Sequence, residues 1–167
     1  MSNFVPTTNQ LGIPNIYNTS TTQQFPLGET ISAYDQTLGG GEFVYLLGVA
    51  STVVGNTVTY NATTYQTTLS PNTANNVGPV AVAMSANLAS QYGWYQISGL
   101  ATVKKSATQV LPGAKVYQSA TAGRWYPTST SGKEILGARG ANLTTVTATT
   151  STWVVLINRP NGQGQIT

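Results

Sequence analysis

The sequence predicts an all-β protein, a Greek-key-like β-sandwich or barrel over residues 39–160. Three observations carry that expectation. Apolar residues alternate with period two in short runs, and no 3.6-residue period persists. Gly, Asn and Pro turn signals separate the runs at spacings of roughly 8–12 residues. The polar share comes from Thr, Ser, Asn and Gln rather than from charge, which is only 7% of residues against 40% hydrophobic, and Thr favours strands.

Residues 1–38 precede this pattern. Pro6, Pro14 and Pro26 punctuate them, and Phe4, Val5, Leu11, Ile13, Ile16, Tyr17, Phe25 and Leu27 recur at irregular spacing. Proline excludes central strands and helix interiors, so the reading is an extended arm along a neighbouring subunit, with a solvated tail as the rival. Isolated apolar residues favour the arm, because a solvated linker has no use for them. Leu38-Gly39-Gly40-Gly41 then reads as a flexible joint.

The first strand is expected at 42–50, apolar on both faces, followed by a Gly55-Asn56 turn into 57–60 and a further strand over 63–69. Residues 70–78 are loop chemistry. The most regular stretch is 78–105. Val80, Val82 and Met84 alternate with Ala81 and Ala83, so that strand is covered on both faces, closely over the alanines. After a polar break, Trp94, Gln96 and Ser98 alternate with Tyr95 and Ile97 between Gly93 and Gly99, making the second half of a central hairpin. A short helix over 86–92 is the alternative for the break, with only Leu88 and Tyr92 as its apolar stripe. Beyond the hairpin, 100–103 continues a strand, short runs follow at 115–119 and 124–126, and 135–136 gives a short apolar element. The segment 137–140 reads as a tight irregular crossing. The last strand, 153–157, is stopped by Pro160 before a polar tail over 161–167.

Charge is unevenly placed. Residues 1–103 hold Glu29, Asp35 and Glu42 and no basic residue, whereas 104–167 hold all seven basic residues and only Glu134. The basic residues stand singly apart from Lys104-Lys105, unlike the dense patch of a nucleic-acid binder. The asymmetry gives an end-to-end field suited to an acidic protein surface. With no Cys there is no disulfide or thiolate site, and with no His there is no His-assisted nucleophile. No apolar run approaches the roughly 20 residues of a membrane helix, and the N-terminus lacks a secretory pattern. The expectation is a protein made in the cytoplasm, with no cofactor, no metal and no direct contact with nucleic acid or membrane.

Gly41-Glu42-Phe43-Val44-Tyr45-Leu46, Gly48-Val49-Ala50-Ser51-Thr52 and Val58-Thr59-Tyr60-Asn61 resemble the opening of tailed-bacteriophage capsid decoration (cement) proteins. The stronger likeness is Gly78-Pro79-Val80-Ala81-Val82-Ala83-Met84-Ser85-Ala86-Asn87, continuing through Ala89-Ser90-Gln91-Tyr92-Gly93-Trp94-Tyr95-Gln96-Ile97. Weaker echoes occur at Val116-Tyr117, at Ala120-Thr121-Ala122-Gly123, at Ala138-Arg139-Gly140-Ala141 and at Ile157-Asn158-Arg159-Pro160. The resemblance covers residues 39–160 and implies a compact β domain on the outer surface of a virion capsid, bridging major capsid protein subunits, with no catalytic residues. A homodimer or homotrimer suits such a role. Expected interface residues are Phe4, Ile16, Tyr17 and Phe25 on the arm, an outward Trp94, and Arg139 and Arg159 toward acidic groups of the shell.

Two other functional classes stand beside this one. A carbohydrate-binding or tail-associated module would stack sugars on an outward member of Trp94-Tyr95 or Trp125-Tyr126. A glycosidase would need Glu42 and Glu134 as acid and nucleophile, against the plainer reading of both as solvated charges.

Overall fold

Strands that are apolar on both faces must be covered on both faces, and that requirement shapes the molecule. The computed structural model describes Val5, Pro6 and residues 15–165. Its strands are β1 (Val5–Pro6), β2 (Thr30–Asp35), β3 (Gly39–Leu47), β4 (Thr57–Tyr60), β5 (Thr67–Leu69), β6 (Val80–Ala83), β7 (Tyr92–Lys104), β8 (Lys115–Gln118), β9 (Trp125–Tyr126), β10 (Glu134–Gly140) and β11 (Thr152–Gly162). No helix occurs among the described residues, so the polar break before β7 is a loop. The strands form one connected antiparallel sheet in the order β1-β2-β3-β7-β11-β10-β8-β9, with β6, β4 and β5 branching from β7. This sheet curls into a half-barrel. The all-β class is as expected, but the two separate sheets of a sandwich are not what the strand order gives.

The expected central hairpin is present: β6 pairs with β7 through Val82↔Gln96 and Ala83↔Tyr95. β7 runs through Gly99 without a break, so the 93–99 run and its continuation over 100–103 form one strand. Along one edge it pairs with β3, from Leu47↔Tyr92 to Gly41↔Gly99. Ser98 also pairs with Asn158 of β11, and β11 continues to Thr152↔Lys104. A strand residue has one neighbour per edge, so β6 and β11 share the edge opposite β3, and the sheet forks there.

The fork distributes β7 among three cores. Trp94 joins Ile16, Ile31, Ala33, Phe43, Tyr45 and Met84. Tyr95 and Ile97 join Val44, Leu46, Val58, Ala81 and Ala83. Ala101 and Val103 join Val80, Val82, Trp125, Ile135, Trp153, Val155 and Ile157, among others. β6 is covered on both faces, valines on one and alanines on the other, as its alternation predicts.

The described part of the expected arm belongs instead to the domain. β2 pairs residue by residue with β3, from Thr30↔Val44 to Asp35↔Gly39. The three glycines expected as a joint therefore begin a strand. Asp35 closes the turn between them, its Oδ1 accepting the Thr37 and Leu38 amides at 2.7 Å each. Ile16 is fully buried, and burying such a side chain is worth roughly 1.5–3 kcal/mol. The Phe25 ring lies 5.4 Å from Tyr45 and 5.5 Å from Trp94, centroid to centroid. Phe4 lies outside the described residues.

Two further expectations are corrected. The segment around Gly137 is not a crossing but a stretch of β10 where the register with β11 shifts: Leu136 pairs with Asn161 and Ala138 with Ile157, so Gly137 faces three residues of β11 and the extra residues lie in that strand. Pro160 does not stop β11. It lies beyond the last β7 partner, Asn158, and in the gap between the β10 partners Ile157 and Asn161, where no ladder needs its missing N–H.

Gly99 has φ +97°, and a Cβ there would strike the Gly40 carbonyl. At Gly40 the space is open, and a Cβ would meet nothing within 4 Å. Gly99→Ala is therefore expected to lower unfolding stability by ~3 kcal/mol and Gly40→Ala to change it by less than ~1 kcal/mol. Urea denaturation of the two variants checks this pair; equal effects would contradict it.

Candidate functional site

Directly paired residues in an antiparallel sheet project from the same face. Ser32, Glu42, Ser98 and Asn158 thus form one row across β2, β3, β7 and β11. Two residues along, Tyr34 pairs with Gly40 on one side of β7. On the other side Leu100 pairs with Leu156, and Leu156 with Arg139 of β10. Farther down the same face, Val44 and Tyr95 lie beneath the β4–β5–β6 branch. At the fork that cover ends, so the rows near Ser98 are left open. Tyr34 is 53% exposed and Leu156 51%.

A depression of about 250 Å³ occupies this face, lined by Ser32, Tyr34, Gly40, Glu42 and Ser98, with Ala33 and Gly41. Arg159 adopts φ +43° just before Pro160, and its Nη2 donates to Glu42 Oε2 at 2.9 Å, tying β11 to β3 across β7. A smaller depression of about 150 Å³ is lined by Asn18, Thr19, Ser20, Gln24, Tyr45 and Tyr92. The Tyr45 and Tyr92 rings stack there, 6.1 Å apart. Burial raises the Tyr45 pKa, and the hydrogen bond from the Gln24 amide offsets part of that rise.

The remaining ionisable groups are dispersed. Glu134 pairs with Lys115 at 2.9 Å, which raises the lysine's pKa through the hydrogen bond and the charge of Glu134. Lys105 is buried, with Nζ donating to the carbonyls of Thr108 at 2.8 Å, Ser106 at 3.3 Å and Ala148 at 3.4 Å. Burial pushes its pKa down. Glu42 and Glu134, weighed from sequence as a glycosidase pair, each sit in a separate ion pair. No group of three or more His, Cys, Asp or Glu that could hold a metal occurs among the described residues.

Of the expected interface residues, four meet in one core and the two arginines lie outside it. Ile16 and Trp94 are buried, and Tyr17 and Phe25 pack beside them in the same core. Trp94 cannot be an outward anchor because its face of β7 is roofed by the 15–27 segment. Trp125 is buried as well, which removes both tryptophans as sugar platforms. Arg139 and Arg159 are exposed, Arg159 in its pair with Glu42. Sequence reasoning missed Tyr34, although the alternation of Thr30–Asp35, with Ile31, Ala33 and Asp35 inward, carries the signal that places it outward.

Compared with known proteins, no family model matches the chain and no curated protein matches it. Fold and geometry therefore define it as an all-β half-barrel with an open sheet face.

Tyr95 lies at the fork, where burial pushes its pKa up to about 12, against the opposing effect of hydrogen bonds with Thr67 and Asn87. A group whose pKa is raised on folding stabilises the fold below its unfolded value and loses that contribution as pH rises through the folded value. The window is thus pH 10 to about 12, and the loss is about 3 kcal/mol at ~1.4 kcal/mol per pKa unit. Denaturant unfolding at pH 9 and pH 12 should show this fall, reduced by that amount in Tyr95→Phe; an unchanged slope in the variant would contradict it.

Proposed function

We propose that the chain is a structural virion protein, a capsid decoration (cement) protein that binds the outer face of a tailed-phage head and bridges major capsid protein subunits. The observation that carries this reading is the run of residues 78–97, with its resemblance to that family; the same run forms β6, the first half of β7 and the loop between them.

The surface supports it. Lys115–Glu134 and Arg159–Glu42 are ion-paired, and Lys105 and Asp35 are buried. That leaves Glu29, Lys104, Arg124, Lys133 and Arg139 as the other charged side chains. Against these stand exposed aliphatic residues on linked loops. Val53 and Val54 are exposed beside Leu88, where the Asn87 amide donates to the Thr52 carbonyl. The Gly55 carbonyl accepts the Lys104 amide at the end of β7. From there Lys105 and the Val110↔Val146 bridge hold together the loops that present Leu111 and Leu143. A sparsely charged surface with preformed apolar tips suits many modest contacts on a repeating shell, where multivalency raises occupancy without any single strong contact. Self-association as a dimer or trimer on the shell belongs to the same reading, which makes the protein a non-enzymatic one.

Co-sedimentation with heads assembled from the major capsid protein encoded with this chain tests the proposal. Wild-type protein should saturate the heads. Leu111→Asp with Leu143→Asp should lower the affinity at least ~10-fold, or ~1.4 kcal/mol, without lowering the unfolding midpoint. Absence of wild-type binding, or undiminished binding by the double variant, would contradict it.

A further inference from the structure

We propose that the depression between Tyr34 and Glu42 is a binding site for one ring of a neutral hexose, at the end of or within a glycan. The inference stands independently of the capsid reading.

Three features meet at this place. First, Tyr34 is the sole aromatic among the strongly exposed large hydrophobic side chains of the described residues. Sugar rings present a C–H face that packs on an aromatic ring, and Tyr adds a polar tip beside that apolar surface. Its β1 neighbour Val5, paired with it across the edge, is 62% exposed and extends the apolar wall. Second, the floor is backbone. A Cβ at Gly40 would meet nothing within 4 Å, so a ring resting against Tyr34 has room above β3. Third, the opposite wall is Glu42, its side chain 40% exposed and ion-paired with Arg159, whose side chain, 61% exposed, stands just beyond the lining residues. A carboxylate accepts hydrogen bonds and a guanidinium donates up to five in a planar fork. With one N–H engaged by Glu42, the remaining donors and acceptors can meet adjacent hydroxyls that each donate and accept. Ser98 adds a polar group on the floor's far side.

The chemistry of this set selects the ligand class. The two charges of the wall cancel, so nothing favours a sulfated or sialylated sugar over a neutral one. The polar groups converge on one side and the apolar surface on the other, which matches the two-faced character of a pyranose. The volume, about 250 Å³, falls just below the roughly 300–1,000 Å³ of sites for drug-sized ligands and fits a single ring. So open a site holds one ring weakly, in the millimolar range expected of a few exposed contacts.

The test is a titration of the full chain, isotope-labelled, with the methyl glycosides of glucose, galactose and mannose and with N-acetylglucosamine, each to about 100 mM. At least one should give saturable amide shifts centred on Tyr34, Gly40, Glu42, Ser98 and Arg159, and sialic acid should bind no better. Gly40 lacks the positive φ that would strain a side chain, so Gly40→Gln fills the depression without disturbing the backbone. It should weaken binding at least tenfold with an unchanged unfolding midpoint. Tyr34→Ala should do the same, whereas Tyr34→Phe, which keeps the stacking surface, should stay within threefold. The proposal is overturned if no neutral sugar gives saturable shifts at these residues, if a sialylated or sulfated sugar binds better than every neutral one, or if Gly40→Gln binds as wild type.

Discussion

Ser98 and Gly99 are where β7 changes neighbours, and the rest of the structure depends on that exchange. Before this point β7 lies between β3 and β6, and beyond it β7 lies beside β11. The chain needs a glycine here because the backbone takes a positive φ and passes against the Gly40 carbonyl. Gln96 holds the irregularity in place. Its buried amide donates to the carbonyls of Ser98 at 3.1 Å and Leu100 at 2.9 Å, so the ladder's displaced acceptors keep partners. One strand thereby enters three cores, and none of the three is complete without it.

The fork also decides what the molecule shows to its surroundings. The β4–β5–β6 branch covers one half of a sheet face and leaves the other half open, which exposes Tyr34, Gly40, Glu42 and Leu156 together. Charge is used sparingly elsewhere. Lys105, a buried basic side chain, is held by three backbone carbonyls rather than by a carboxylate. It joins loops 43 residues apart in sequence and makes them a rigid platform for their apolar tips. Under the proposed capsid reading, apolar tips on a weakly charged body would make contacts that are many and individually small.

Much of this was legible in the sequence wherever alternation was unbroken. The doubly apolar β6, the Gly99 irregularity and the all-β class follow from period-two runs and glycine positions. The N-terminal quarter was not legible, because its core residues do not alternate. Ile16, Phe25 and Leu27 approach the Trp94–Tyr45 surface from an irregular segment, and irregular segments bury side chains without any period. The strand at Thr30–Asp35 does alternate, but six residues beside a triple glycine read equally well as linker. Trp94 was misplaced for a different reason. Period two separates the faces of a strand without saying whether both are covered. Lys104-Lys105 illustrates the same limit, since identical neighbours end on opposite faces, one half-exposed and one buried.

A single cooperative domain that includes residues 15–38 is the central structural claim, and native-state hydrogen exchange across β2, β3 and β7 tests it most directly. The amides of Ile31 and Ala33 should open with free energies within ~1 kcal/mol of those of Phe43 and Tyr95, because all of them are released only when the shared core unfolds. Exchange of residues 15–35 at the rate of an unstructured chain, while β3 and β7 remain protected, would contradict it.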